Sequence, residues 1–257
     1  NAKGLGVDCV DSVEELAEKT DHIILSLPKP EISIAVTKSL CDGASTPTLL
    51  IETSTVTPQT AFTCDNLCKQ KQIAYVDAAI AGGVASMAAG EITFFLGGAG
   101  ENKKLAHGIL SLIAAGIYDL GPVGAGMGTK VVNNGVMHAL MVVLIEAFSM
   151  SNKLGVSSQT MIEILNREEG LLRPLVHRVQ ERMQEGNYEG GMSVTNARKD
   201  SVLALETAQQ LGVPLFATLA AHTPYELAEA NDMGDLDYAS LALLWEKWAK
   251  VSFKNTD

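Results

Sequence analysis

The first half of the chain alternates short apolar runs with segments of helical spacing. The apolar runs are rich in β-branched and aliphatic residues and predict four strands, at residues 22–28, 48–55, 73–80 and 91–98. Helical spacing separates them at residues 31–40 and 57–72, where Thr57 and Pro58 fit the N-cap and first turn of the second helix. Strands that alternate with helices in this way predict a parallel sheet covered by helices.

Strand signals stop at Thr129. The remaining helical patterns cover residues 129–155, 157–166, 197–212 and 236–250. The boundary falls in the glycine-rich residues 121–128, which predicts an α/β domain at residues 1–125 and an all-helical domain at residues 126–257. We therefore expect a Rossmann-type, doubly wound sheet followed by a helical C-terminal domain.

The longest apolar run covers residues 138–148, and Glu146 interrupts it. A bilayer-spanning helix needs about 20 apolar residues, so this run predicts a buried helix and no contact with a membrane. The 257 residues carry 19 Lys and Arg against 30 Asp and Glu, a net charge of −11. Such an acidic chain excludes nucleic acid and anionic membranes as partners.

The four cysteines form no closely spaced metal-binding or secreted-type pattern. Cys64 and Cys68 can share one helix face, but no histidine or third cysteine is near, so packing is favoured over metal binding and no metal is expected. The sequence opens at Asn1 without a secretory signal pattern, which predicts a cytoplasmic location.

Lys130 and Asn134 are the first candidates for chemistry. They lie four residues apart on a predicted helix, so both side chains project from one face. An ammonium beside a carboxamide can hold a substrate hydroxyl and exchange its proton. The alternative is that both side chains only solvate the start of the helix.

Three further segments follow strands or begin helices. Gly82 and Gly83 leave a strand, so backbone N–H groups there can hold a carboxylate, although an ordinary tight turn is the favoured explanation when the motif is taken alone. Leu27–Pro28 and Ser54–Thr55 follow strands, where doubly wound sheets bind ligands, or they merely start the next helices. Lys199–Asp200 begins a helix and either closes a cleft or forms an exposed ion pair.

The order of these motifs resembles that of the β-hydroxyacid dehydrogenases. The series runs LP, ST-x-x-P, DA-x-x-x-GG, G-x-G-x-x-x-K-x-x-NN and KD-x-x-LA, and the tail at residues 234–241 is also similar. The resemblance extends from Ala2 to about Ala249 and includes 3-hydroxyisobutyrate dehydrogenase, tartronate semialdehyde reductase and 6-phosphogluconate dehydrogenase. Five motifs in a fixed order are far more specific than any one of them.

The resemblance implies an NAD- or NADP-dependent enzyme that interconverts a small 3-hydroxy acid and its semialdehyde or keto acid. Lys130 then exchanges the proton of the substrate oxygen, and Asn134 orients the substrate. The cofactor-binding positions that the resemblance implies are Leu27, Pro28, Thr55 and Lys199. It also implies a homodimer or homotetramer with interlocked helical domains.

The substrate loop departs from the family pattern. The family usually has D-A-P-V-S-G-G, whereas residues 77–83 read D-A-A-I-A-G-G. The resemblance implies Ala81, Gly82 and Gly83 as the substrate-binding positions. Ala81 lacks the hydroxyl expected to hydrogen-bond the substrate carboxylate, so either the substrate differs from the usual small 3-hydroxy acid or the glycine N–H groups hold it alone. Glu52 replaces a common aspartate, and the pattern gives it no functional role.

The largest departure from the family pattern is that the printed sequence lacks the dinucleotide fingerprint G-x-G-x-x-G. Gly4–Gly6 is not that motif because no strand precedes it, and residues 22–27 are expected to form an open sheet edge. Two explanations compete: a fragment of a longer enzyme, favoured because Lys130, Asn134 and Lys199 are present, or a protein without a phosphate-binding unit.

The alternative function is a non-catalytic scaffold for oligomerisation or ligand sensing. An imine reductase relative is a weaker alternative.

Overall fold

A computed structural model describes residues 3–43, 47–168 and 170–255. The chain divides into two compact units, Asn1–Val136 and Met137–Asp257. The first unit contains a five-stranded sheet, and the second is helical. The predicted Rossmann-type sheet followed by a helical domain is therefore confirmed.

The sheet has its strands in chain order. The strands are β1 (His22–Leu25), β2 (Leu49–Glu52), β3 (Ala74–Ala81), β4 (Ile92–Gly98) and β5 (Ala114–Asp119). β1, β2 and β3 are parallel, β4 runs antiparallel to β3, and β5 is parallel to β4. The prediction of a parallel sheet does not hold between β3 and β4, because a parallel crossover needs a dozen or more residues and the connection there is shorter. β1 lies at one edge of the described sheet, as predicted for residues 22–27.

Helices cover both faces of this sheet. In the first unit they are α1 (Val13–Lys19), α2 (Pro30–Asp42), α3 (Pro58–Lys69), α4 (Val84–Ala88) and α5 (Gly100–Leu110). Thr57 caps α3 by accepting a hydrogen bond from the Thr60 amide, and Pro58 starts it, as predicted. One face of the sheet packs against α2 and α3 through residues that include Leu50, Tyr75 and Cys64. The opposite face packs against α5.

The buried thiols belong to the first of these cores. Cys64 and Cys68 are fully buried on α3, and the Cys41 and Cys68 sulfurs are 4.0 Å apart. Burial raises the pKa of each of these three thiols. Among the described residues, no group of three or more His, Cys, Asp or Glu side chains is placed to hold a metal ion.

The second unit is built from helices and short turns. Its helices are the later part of α6 (Ala125–Lys153), α7 (Ser158–Asn166), a π-helix (Leu175–Met183), α8 (Val194–Leu211), α9 (Ala217–Glu229) and α10 (Ala242–Ala249). Ser157 and Ser193 cap α7 and α8 through their hydroxyls, and Gly212 ends α8 in the left-handed conformation. α9 and the π-helix were not predicted from the sequence pattern.

Helix α6 is longer and more exposed than its sequence predicts. It begins four residues before Thr129, and only 6% of its most apolar 18-residue window is buried. The prediction of a buried helix at residues 138–148 is therefore wrong for a single copy of the chain. Among the described residues, α6 alone is long and apolar enough, by length and composition, to cross a membrane.

Candidate active site

The loops after β1 and β2 form one surface at the carboxyl ends of these parallel strands. The Leu27 amide donates a hydrogen bond of 2.7 Å to the Ser54 hydroxyl, and the Thr53 hydroxyl donates one of 2.7 Å to the Leu25 carbonyl. Pro28 and Thr55 are exposed beside these contacts. The two predicted cofactor-binding segments are thus adjacent in space, where ligands of doubly wound sheets bind.

Glu52 supports this surface from inside the protein. It is fully buried at the end of β2, and its Oε1 accepts a hydrogen bond of 2.9 Å from the Ser54 amide. Burial raises the pKa of Glu52, and the hydrogen bonds from Ser54 oppose that effect. In the sequence, Glu52 is visible only as an acidic residue at the end of an otherwise apolar strand, and the motif pattern assigns it no role.

Asp77 is the neighbour of Glu52 in the register of β2 and β3 and is also fully buried. Its Oδ1 accepts a hydrogen bond of 2.8 Å from the Gly124 amide, and its Oδ2 accepts one of 2.9 Å from the Met127 amide. Burial raises the pKa of Asp77, and these amides oppose that effect. The carboxylate therefore joins the middle of β3 to the start of α6.

Lys130 and Asn134 lie on α6, one turn apart. Lys130 comes three residues after Met127, and both side chains are partly exposed. Within the described residues neither side chain makes a hydrogen bond or ion pair, so the amine and the carboxamide are free to contact a ligand. The sequence prediction that they share one helix face agrees with this geometry.

The predicted substrate loop follows β3 directly. Ala81 ends the strand, and Gly82 has φ +134°, a conformation that side chains rarely adopt. Gly83 is the N-cap of the five-residue helix α4. Gly82 is therefore required by the turn itself, and Ala81 presents no hydroxyl there.

Lys199 belongs to the second unit, whereas the other predicted site residues lie in the first. It is on α8, and its Nζ lies 3.1 Å from Oδ1 of Asp200. More than half of each side chain is exposed. The ion pair that the sequence offered as an alternative is thus present in the structure.

These features define a class of protein. An α/β unit with loops joined at the ends of parallel strands is a nucleotide-binding unit of the Rossmann type. The lysine-bearing helix α6 begins within that unit, and its later residues belong to the helical unit. Two family models match these parts in turn: the NAD binding domain of 6-phosphogluconate dehydrogenase matches residues 1–124, and the NAD-binding model of NADP-dependent 3-hydroxyisobutyrate dehydrogenase matches residues 124–245.

Curated relatives agree with both models. The 2-(hydroxymethyl)glutarate dehydrogenase of Eubacterium barkeri is 28% identical over 250 residues, which cover 96% of this chain and 83% of that protein. The mitochondrial 3-hydroxyisobutyrate dehydrogenase of Bos taurus is 27% identical over 92% of this chain and 73% of that protein. The chain belongs to the β-hydroxyacid dehydrogenase family of NAD(P)-dependent oxidoreductases.

Solved structures share the same architecture. The 3-hydroxyisobutyrate dehydrogenase of Mycobacterium tuberculosis, solved with L-serine, is 26% identical with a TM-score of 0.63, and the match covers 95% of this chain and 85% of that one. An imine reductase from Pseudomonas sp. has a TM-score of 0.83 at 20% identity, covering 94% and 86%. At that identity the second match shows the fold alone.

The family cofactor is NAD or NADP. The loops after β1 and β2 are linked by hydrogen bonds, and Thr55 keeps an exposed hydroxyl without a described partner, so these loops would hold a part of that cofactor. Residues 26–29 and 53–57 contain no glycine. They suit a ring or amide rather than a pyrophosphate, which needs close approach of the backbone.

Proposed function

We propose that the chain interconverts a small 3-hydroxy acid and its semialdehyde or keto acid, with Lys130 as general acid and base. The observation that carries this proposal is the amine of Lys130, which has no partner among the described residues and lies on a helix whose first turn is anchored by buried Asp77. Asn134, one turn further along α6, orients the substrate through its carboxamide. Leu27, Pro28 and Thr55 contact the nicotinamide end of the cofactor.

The role of Lys130 follows from the bonds that change. Oxidation of a hydroxy acid removes a proton from oxygen and a hydride from the adjacent carbon. The bound nicotinamide supplies the acceptor or donor of the hydride. Lys130 takes the hydroxyl proton as a neutral amine in oxidation and returns it as an ammonium in reduction.

The proposed substrate class rests on the chemistry that the relatives' names share. 3-Hydroxyisobutyrate and 2-(hydroxymethyl)glutarate both carry a hydroxymethyl group on the carbon next to a carboxylate, as does L-serine. We therefore propose a 3-hydroxypropanoate with a substituent at carbon 2. The backbone of Gly82 and Gly83 holds its carboxylate in place of a serine hydroxyl.

Replacing Ala81 by serine tests this assignment. The new hydroxyl supplies a hydrogen bond to a charged group, worth about 1.5–3 kcal/mol, so the KM for 3-hydroxyisobutyrate is expected to fall about tenfold or more. Steady-state kinetics on the variant and wild-type chain measure this change. Ala85→Ser on α4 is the matched control and is expected to leave the KM unchanged. An unaltered KM in Ala81→Ser places the carboxylate elsewhere.

We also propose that a second copy of the chain covers the apolar surface of α6, in a homodimer or homotetramer. Its large exposed side chains include Val131, Val132, Val136, Met137, Met141, Val142, Val143 and Ile145. Monomers rarely leave so large an apolar surface in water.

We propose a cytoplasmic location for the chain. The free cysteines suit a reducing compartment, which supports this location.

Sedimentation without detergent tests this assembly. The wild-type chain is expected to sediment as a dimer or tetramer, and Met141→Glu is expected to shift it toward the monomer, because the charge is desolvated in the interface. Gln210→Glu, which adds the same charge at an exposed site on α8, is the control. A wild-type monomer, or binding of the chain to neutral lipid vesicles, contradicts the proposal.

A further inference from the structure

The two oxygens of Asp77 bind different parts of the segment that leads to Lys130. Oδ1 accepts from Gly124, in the turn before α6, and Oδ2 accepts from Met127, inside its first turn. Two attachment points three residues apart fix both the position and the rotation of the start of a helix. Lys130 lies three residues further on, so the direction of its side chain depends on that rotation.

The surrounding residues leave room for a carboxylate and little else. A Cβ added at Gly97 would lie 2.7 Å from Oδ1 of Asp77, and one added at Gly126 would lie 2.9 Å from Oδ2. The Gly126 Cβ would also lie 2.3 Å from the Phe95 carbonyl oxygen. These two glycines allow β4 and α6 to approach the carboxylate from two sides.

The segment that Asp77 holds is intrinsically loose. Four of the eight residues at 121–128 are glycine, and glycine loses more conformational entropy on ordering than any other residue. A negative charge at the N-terminus of a helix also interacts favourably with the helix dipole. Asp77 therefore supplies the order that the sequence of this turn lacks.

We infer that Asp77 is a positioning residue for Lys130, which it places at the substrate hydroxyl by fixing the first turn of α6. This inference rests on the proposed role of Lys130. Asp77 itself is fully buried and touches backbone amides, so it acts through the helix. The surface proposed for the nicotinamide, formed by the loops after β1 and β2, is held separately by the hydrogen bond between Leu27 and Ser54.

Asp77→Asn separates a positioning role from general support of the fold. The amide keeps one acceptor and turns an N–H donor toward the other backbone amide, so the helix start shifts. Because misplacement of a catalytic group by about 1 Å can cost 100-fold in rate, kcat is expected to fall by about 10- to 100-fold. The KM for NAD(P)H is expected to change less than about twofold. A variant that only folds less well would lower the amount of active enzyme but would leave kcat and the KM for NAD(P)H unchanged per folded molecule.

The control is Asp65→Asn, which removes another buried carboxylate of the same unit, paired with Lys69 on α3. It is expected to leave kcat and KM per folded molecule unchanged. The double variant Asp77→Asn/Lys130→Ala is expected to be no slower than Lys130→Ala. If Lys130→Ala lowers kcat but Asp77→Asn does not, or the two losses multiply, the inference about Asp77 fails alone. If Lys130→Ala keeps full turnover, the proposed function fails first.

Hydrogen exchange of the wild-type chain gives a test that needs no variant. The Gly124 and Met127 amides are expected to exchange as slowly as the amides of β3, since a buried carboxylate accepts from both. Exchange as fast as that of an unprotected helix end overturns the inference, whether or not Asp77→Asn folds.

Discussion

Replacing Lys130 by alanine is expected to lower kcat by about 100- to 10,000-fold, the usual contribution of a general acid–base group. The change removes the amine that exchanges the proton of the substrate hydroxyl. It leaves the loops after β1 and β2 untouched, so the affinity for NADH or NADPH is expected to stay within about twofold. Steady-state rates and titration of cofactor fluorescence measure the two quantities.

Lys104→Ala provides the matched control. Lys104 lies on α5 of the same unit and is largely exposed in an ion pair with Glu101. Its removal is expected to leave both kcat and cofactor affinity unchanged, since surface ion pairs contribute little. Turnover by Lys130→Ala within tenfold of the wild type would exclude Lys130 as the acid–base group.

The second large effect is expected at Glu146, which interrupts the apolar run of α6. Its Oε1 accepts from the Phe216 and Ala217 amides at 2.5 and 2.8 Å, and its Oε2 accepts from the amide and hydroxyl of Thr218 at 3.0 and 2.7 Å. The N-cap of α9 is Phe216, whose side chain cannot accept a hydrogen bond. Glu146 therefore caps α9 from another helix.

Glu146→Ala leaves these amides without their acceptor and is expected to lower the free energy of unfolding by about 2–4 kcal/mol. Denaturant titration at a fixed protein concentration measures the loss. Glu206→Ala, at an exposed site on α8, is the control and is expected to change it by less than about 0.5 kcal/mol. A loss as small as that in Glu146→Ala would contradict the capping role.

The contribution of Glu146 also depends on pH. Burial alone would raise the pKa of Glu146, but the hydrogen bonds from Thr218, Ala217 and Phe216 outweigh it and hold the pKa below its usual 4.5. A carboxyl with a lowered pKa stabilises the folded state above its unfolded pKa, and this stabilisation is lost as the pH falls through the folded pKa. The difference between wild type and Glu146→Ala is therefore expected to be full at neutral pH and to shrink below pH 4.5.

Much of the fold could be predicted because its signals are local. The apolar runs of β1 to β4 and the threonine and serine caps of α3 and α7 are visible in short segments. β5 was missed because its residues are mostly half-exposed and contain Gly116. The direction of β4 was wrong because it depends on the length of the connection after β3 rather than on the composition of the strand.

The site was predictable only in part, because side-chain partners across the fold leave no local signal. The spacing of Lys130 and Asn134 gave their shared face. The bonds of Asp77 to Gly124 and Met127 join residues 47 and 50 positions apart in the sequence, and those of Glu146 to the start of α9 join residues 70 to 72 positions apart. The exposure of α6 was missed because composition does not show whether an apolar helix has a partner.

The activity proposed for this chain is hydride transfer between a nicotinamide cofactor and a 2-substituted 3-hydroxypropanoate. The most direct measurement is absorbance of NADH or NADPH at 340 nm while the purified full chain is given 3-hydroxyisobutyrate, 2-(hydroxymethyl)glutarate or L-serine with NAD or NADP. Reduction of one cofactor is expected with at least one of these substrates, and Lys130→Ala is expected to lose it. Binding of cofactor or hydroxy acid without any turnover would exclude hydride transfer and favour a non-catalytic scaffold.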